Sequence, residues 1–137
     1  MHSFSIRVYY SDTDCGGIVY HSRYLDFVEH ARTELLRDIG IATKQTGSHR
    51  DLKEQESIVL VVKSANIDYQ RPAYLDDLLT VETEVEDSKR FSIVFRQTVK
   101  REAETLCVIL VKVAAIDTTT MRPKPMPEWF IPAFNEL

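Results

Sequence analysis

The sequence has only two cysteines, Cys15 and Cys107, and no CxxC pair. Two cysteines make no disulfide framework, so free thiols in a reducing cytoplasm are expected. Long apolar runs are also missing. Residues 106–111 form one of the longest, far short of the about 20 residues that a membrane-spanning helix needs. The first residues, Met1 to Arg7, hold no extended apolar stretch, so no signal peptide is expected. There is no basic excess: 17 Lys and Arg face 21 Asp and Glu, for a formal net charge of −4. The cations are scattered among carboxylates, which excludes electrostatic capture of a nucleic-acid backbone. A small anionic ligand is not excluded, because a few local cations can hold a phosphate. No repeat, linker or low-complexity stretch interrupts the chain. The 137 residues, 44% hydrophobic and 28% charged, suit a single domain over residues 1–137 whose core needs no staples.

Alternation opens the chain. Phe4, Ile6, Val8 and Tyr10 share one face and Ser5, Arg7 and Tyr9 the other, the period of a strand. Polar residues and paired glycines at 11–17 predict a loop. Tyr24, Val28, Ala31, Leu35 and Ile39 then recur at helical steps, widened by Phe27 and Leu36. Ser22 is the expected N-cap and Gly40 the expected stop. Residues 41–56 lose the pattern and read as a loop or a short irregular helix. Four strands follow: 58–69, ended by Arg71-Pro72; 79–86; 91–99; and 106–116. The last is nearly all apolar and predicts a central strand covered on both faces. The tail, with Pro123, Pro125, Pro127 and Pro132, shows no regular pattern. One strand, one long amphipathic helix and four consecutive strands predict an α+β domain with an antiparallel sheet. One helix covers only part of five strands, so a dimer that joins sheets or shields the remaining surface is expected.

Chemistry concentrates in residues 12–21, with Asp12, Asp14, Cys15, Gly16, Gly17 and His21. This stretch runs straight into the helix. The first N–H groups of a helix lack internal partners and carry partial positive charge. They can polarise a carbonyl and stabilise the oxyanion formed on attack. A carboxylate just before them can attack that carbonyl or activate water. Gly16 and Gly17 let backbone approach a ligand closely.

The run Val8-Tyr9-Tyr10-Ser11-Asp12-Thr13-Asp14-Cys15-Gly16-Gly17-Ile18-Val19-Tyr20-His21 resembles the signature of the 4-hydroxybenzoyl-CoA thioesterase family. Within it, the run is similar to the bacterial acyl-CoA thioesterases encoded with the Tol–Pal system. Glu29-His30-Ala31-Arg32-Thr33-Glu34 and the pattern Ile67-Asp68-Tyr69, Pro72-Ala73, Leu75-Asp76-Asp77-Leu78 resemble the same branch. The match extends to about Pro127. The resemblance implies a hot-dog fold, a five-stranded antiparallel sheet wrapped around one long helix. It implies a homodimer or homotetramer with active sites between subunits, in the cytoplasm. It implies hydrolysis of an acyl-CoA, or of an acyl group on a carrier protein, with no metal or cofactor. Asp14 matches the catalytic carboxylate, as nucleophile or general base. His21 matches the helix-start position whose N–H polarises the thioester, its ring a catalytic or orienting group. Tyr10 and Gly17 match the substrate site, and Lys89 and Arg90 fall where related enzymes hold CoA phosphates. Cys15 departs from the small residue, often alanine, expected there.

Competing readings exist for each residue. Asp12 reads as a turn cap rather than a second catalytic acid. Tyr10 shares its face with core residues, so a core role competes with a pocket role. Lys89 and Arg90 also suit a solvated turn. A Cys15–His21 thiolate pair lacks a third orienting group, and Asp12, Asp14, Cys15 and His21 match no structural-zinc spacing. Glu29, His30 and Arg32 read as support for the helix or a subunit contact. At the level of function, a non-catalytic module binding acyl-CoA or acyl carrier protein competes with the thioesterase. A hydratase or dehydratase finds no matching acid–base pair.

Overall fold

The computed structural model describes residues 1–43 and 47–137, with the side chains of 41–43 outside the description. Strand β1 (His2–Arg7) leads through a single 3-10 turn (Tyr10–Asp12) and the loop to helix α1 (Arg23–Thr43). A second helix, α2 (His49–Glu56), precedes β2 (Ile58–Tyr69), β3 (Leu78–Ser88), β4 (Ser92–Arg101) and β5 (Glu104–Asp117), and α3 (Phe130–Asn135) closes the chain. The strands form one antiparallel sheet in the order β1-β3-β4-β5-β2.

Alternation decides which face is buried. Leu79, Val81 and Thr83 of β3, Ile93, Phe95, Gln97 and Val99 of β4, and Cys107, Ile109, Val111 and Val113 of β5 all face inward. Against them lies the predicted stripe of α1, with Tyr24, Phe27, Val28, Ala31, Leu35, Leu36 and Ile39 all buried. Each large side chain so buried contributes roughly 1.5–3 kcal/mol. The helix packs closest to β1 and β3, which leaves space between it and β2.

Four expectations need correction. Gly40 does not stop α1, which runs to Thr43. Instead Gly47 comes so close to Gly40 that a Cβ on Gly47 would lie 2.4 Å from the Gly40 Cα. The bare backbone serves close approach, and a glycine inside a helix costs only about 1 kcal/mol. Within 41–56, residues 49–56 form a regular helix whose first turn is capped by Ser48 Oγ, accepting the Asp51 N–H at 3.0 Å. Lys44, Gln45 and Thr46 lie outside the described residues. The proline-rich tail ends in α3, where Phe130, Ala133 and Phe134 are buried. Pro132 sits in its first turn, where a missing N–H has no cost. Finally, β5 is not the central strand and is covered on one face only. Val108, Leu110 and Lys112 on its other face are half-buried.

Candidate active site

Two tight elements shape the loop before α1. Asp12 ends the 3-10 turn and is buried. Its Oδ2 accepts the Tyr9 N–H at 2.8 Å, and its Oδ1 accepts from Arg23 Nε and Nη2 at 3.1 and 2.9 Å. The Tyr20 N–H donates to its carbonyl at 2.9 Å. Asp12 is therefore a structural hub, as the turn-cap reading expects, and Arg23 is its partner.

Asp14 stands in the next turn. Its N–H donates to the Ile18 carbonyl at 3.0 Å and its carbonyl accepts from Gly17 at 3.1 Å, while Thr13 and Val19 bridge the base. Gly17 takes φ 81, the left-handed region where glycine has no steric penalty. The Gly16 N–H donates to Asp14 Oδ1 at 2.7 Å. A Cβ on Gly16 would lie 3.1 Å from that same oxygen, so a side chain there would crowd the carboxylate. Asp14 itself is exposed, and its Oδ2 has no hydrogen-bond partner among the described residues.

The loop is also fixed from the far side. The Val19 N–H donates to the Ala73 carbonyl at 2.9 Å, and Ile18 bridges Tyr74. Buried Tyr24 accepts the Ala73 N–H at 3.2 Å, and Tyr69 Oη, at the end of β2, donates to the His21 carbonyl at 2.8 Å. Desolvation pushes both phenols above their ordinary range, so both stay protonated at neutral pH. Arg101 donates to Asp77 at 2.7 Å and pairs with Glu104, and its guanidinium lies over the Tyr74 ring. Asp77 in turn accepts the Tyr74 N–H at 2.9 Å. Tyr24 reads in the sequence as core and Tyr69 only as part of the family pattern; Tyr24 reaches the loop from the first turn of α1, whereas Tyr69 and Arg101 come near it only through the strand register.

The other site candidates fall in different places. His21 is exposed two residues before α1, its ring 4.4 Å from that of Tyr20. Tyr10 lies in the 3-10 turn and not on β1, and it is 81% exposed, which removes its core role in this chain. Cys15 is exposed beside Asp14 and Cys107 is buried, and both are free thiols. Lys89 and Arg90 occupy the β3–β4 hairpin, where Arg90 lies over the Phe91 ring. The loop adjoins the start of β3, and the hairpin follows its eleventh residue, about 30 Å away at the rise of a strand. One chain thus carries Asp14, Gly17 and His21 on the same connection between β1 and α1, with Lys89 and Arg90 on the β3–β4 hairpin far from it.

A cavity of about 280 Å³ lies between α1, α2 and β2, lined by residues that include Arg32, Leu35, His49, Leu60, Phe95 and Phe130. No residue of the Asp14 loop lines it.

Residues 8–134 match the family model described as the thioesterase-like superfamily. The chain belongs to that superfamily. The Haemophilus influenzae acyl-CoA thioesterase YbgC is 47% identical over 135 residues, covering 98% of this chain and 95% of that protein. The Escherichia coli acyl-CoA thioester hydrolase YbgC is 35% identical over 136 residues, covering 96% and 93%. A probable thioesterase from Bartonella henselae has a solved structure similar at TM-score 0.83 and 33% identity, over 92% of this chain and 98% of that one. The Synechocystis 1,4-dihydroxy-2-naphthoyl-CoA thioesterase, 20% identical, shares the fold at TM-score 0.86 over 99% and 96%. The α+β architecture is the hot-dog fold of these structures, and the enzyme class that comes with the family is thioester hydrolase. No helix among the described residues is long and apolar enough to cross a membrane.

Proposed function

We propose that this thioester hydrolase cleaves acyl-CoA to free acid and CoA in the cytoplasm, with Asp14 as nucleophile or general base. The observation that carries the reading is the state of Asp14. One carboxylate oxygen is held by Gly16 at 2.7 Å, and the other is free of partners among the described residues. A carboxylate oriented in this way, exposed on the loop that leads into a helix N-terminus, suits attack on a thioester carbonyl. As nucleophile, Asp14 Oδ2 bonds to the acyl carbon, the CoA thiolate leaves, and water then cleaves the mixed anhydride. As base, it takes a proton from water, whose oxygen attacks the same carbon and expels the CoA thiolate. The backbone at His21 polarises the carbonyl in either case, while Tyr10 and Gly17 line the approach.

The working unit is a dimer formed across β2. That strand is a 12-residue sheet edge with Val61 and Val62 exposed, and such an edge calls for a partner. Antiparallel pairing of two copies sets the start of one β2 beside the end of the other. The end of β2 is tied to the Asp14 loop through Tyr69. The cavity beside Val59 and Leu60 therefore meets Asp14 of the partner subunit. The same symmetry brings Lys89 and Arg90 of the partner subunit to the end of the sheet that bears Asp14, where they serve the CoA phosphates.

The test is thiol release from acyl-CoAs of graded length by the wild type and Asp14→Asn. Turnover by the wild type and its loss in a folded variant support the reading. An unchanged rate in the variant removes Asp14 from the mechanism, and binding without turnover leaves a non-catalytic module. A mixed anhydride trapped in a single turnover identifies the nucleophilic route.

A further inference from the structure

The cavity between α1, α2 and β2 is apolar on most sides, with walls from Leu35, Leu36, Leu60, Phe95, Val113 and Phe130. One wall carries a cation. Arg32, half-buried on α1, donates from Nη1 to Gln97 Oε1 at 2.9 Å. Gln97 is fully buried, and its amide nitrogen donates to the Val28 carbonyl at 2.9 Å and to Thr83 Oγ1 at 3.0 Å. Three elements thus fix the guanidinium at the cavity wall.

Its charge is only partly compensated. Gln97 is neutral, and Arg32 takes part in no ion pair among the described residues. Glu29, which also lines the cavity and whose charge acts on Arg32, is half exposed and accepts from Thr33 Oγ1 at 2.9 Å. His49, also in the wall, lies 2.9 Å from Thr33 Oγ1 through Nε2. Desolvation lowers its pKa, so it stays neutral at pH 7. Desolvation lowers the Arg32 pKa too, the mark of a cation held out of water. An arginine in that position gains most from a carboxylate, which accepts two parallel N–H bonds. A half-exposed surface cation would gain little from the same pairing.

We propose that Arg32 selects, for the cavity, acyl groups that end in a carboxylate, so that the preferred substrates are CoA half-thioesters of short dicarboxylic acids. Size sets the length. At ~30 Å³ per water-sized group, 280 Å³ holds about nine non-hydrogen atoms, which suits a five- or six-carbon diacid. The apolar walls take the methylenes and Arg32 takes the far carboxylate. The assignment rests on the thioesterase reading and on the dimer that sets Asp14 of the partner subunit at the cavity mouth.

The experiment compares kcat/KM for glutaryl-CoA and adipyl-CoA with pentanoyl-CoA and hexanoyl-CoA. The carboxylate-ended substrates should lead in the wild type. The ratio of carboxylate-ended to methyl-ended should fall about 10- to 100-fold in Arg32→Met, the range for a hydrogen bond to a charged group. Arg32→Lys should retain part of that ratio. A wild-type preference for the methyl-ended chains overturns the assignment without recourse to any variant. An equal ratio in wild type and Arg32→Met also overturns it. Hydrolysis of none of the four overturns the thioesterase reading instead. Calorimetric Kd values for adipyl-CoA and hexanoyl-CoA then decide on Arg32: tighter adipyl-CoA binding that depends on Arg32 supports it, and equal binding rejects it.

Discussion

Arg23 donates twice to the same oxygen of Asp12, and these contacts at 3.1 and 2.9 Å fasten the start of α1 to the front of the loop that carries Asp14. The other Asp12 oxygen is occupied by the Tyr9 N–H. A buried carboxylate with no idle acceptor stabilises structure and is not available to react. Asp12 and Asp14, two residues apart, are separated in role by this difference in occupancy.

Asp12→Ala should therefore lower unfolding stability by about 2 kcal/mol, since it removes charge-assisted bonds and leaves a backbone N–H without its acceptor. Asp12→Asn keeps an acceptor and should cost less. Urea denaturation of both variants is the check, and two curves superimposed on the wild type would end the hub interpretation. Asp14→Asn, by contrast, should retain the wild-type midpoint.

Gln97→Leu should cost about 2–4 kcal/mol, because it strands Thr83 Oγ1 and the Arg32 guanidinium in a water-poor site. Thermal denaturation reads this directly. Thr83→Val removes only one partner of the amide and should cost less. A Gln97→Leu protein as stable as the wild type would mean that the network is solvated.

Burial pushes the Cys107 thiol up to about 12 from an ordinary 9.0, with the charge of Asp68 adding to the effect. An unfolded thiol ionises near 9 while the folded one holds its proton. The associated stability is complete below pH 9 and is lost as pH rises toward 12. Cys107→Ala should flatten the decline of stability over that window, whatever its effect on the absolute value. A thiol reagent should count one reactive cysteine, Cys15, in the native chain and two in denaturant. Two in the native chain would contradict the burial of Cys107.

Much of the sheet was legible because alternation is a local signal. Four strand spans lie within a few residues of the predicted ones, and the α1 stripe is the buried face. Misreadings came where a residue answers to something far along the chain. Gly40 looks like a helix stop until Gly47 is seen against it. Tyr10 continues the alternation of β1, but the 3-10 turn organised by Asp12 ends the strand first. α3 has too few residues for a periodicity to emerge, and prolines hide it. At the site, the loop residues were legible as a motif, whereas Tyr69 and Arg101 come near it only through strand pairing. Arg32 read as support for the helix or a subunit contact, and only Gln97, 65 residues later, gives it a place in the cavity wall.

The strand order 1-3-4-5-2 also has a consequence for the sequence of events in folding. β3, β4 and β5 are joined by tight turns and pair with their neighbours in the chain. β1 must find β3, where His2 meets Thr83, and β2 must find β5, where Ile58 meets Asp117. Closing those long loops costs entropy before any contact repays it. The three-strand meander should thus form the nucleus, with both sheet edges and the loop bearing Asp14 joining late. Mutational φ-values above about 0.5 at Val81, Phe95 and Val111, with values near zero at Ile6 and Ile67, are expected. The reverse pattern would place the nucleus at the edges. The loop bearing Asp14 would then be among the last parts of the chain to order and among the first to open.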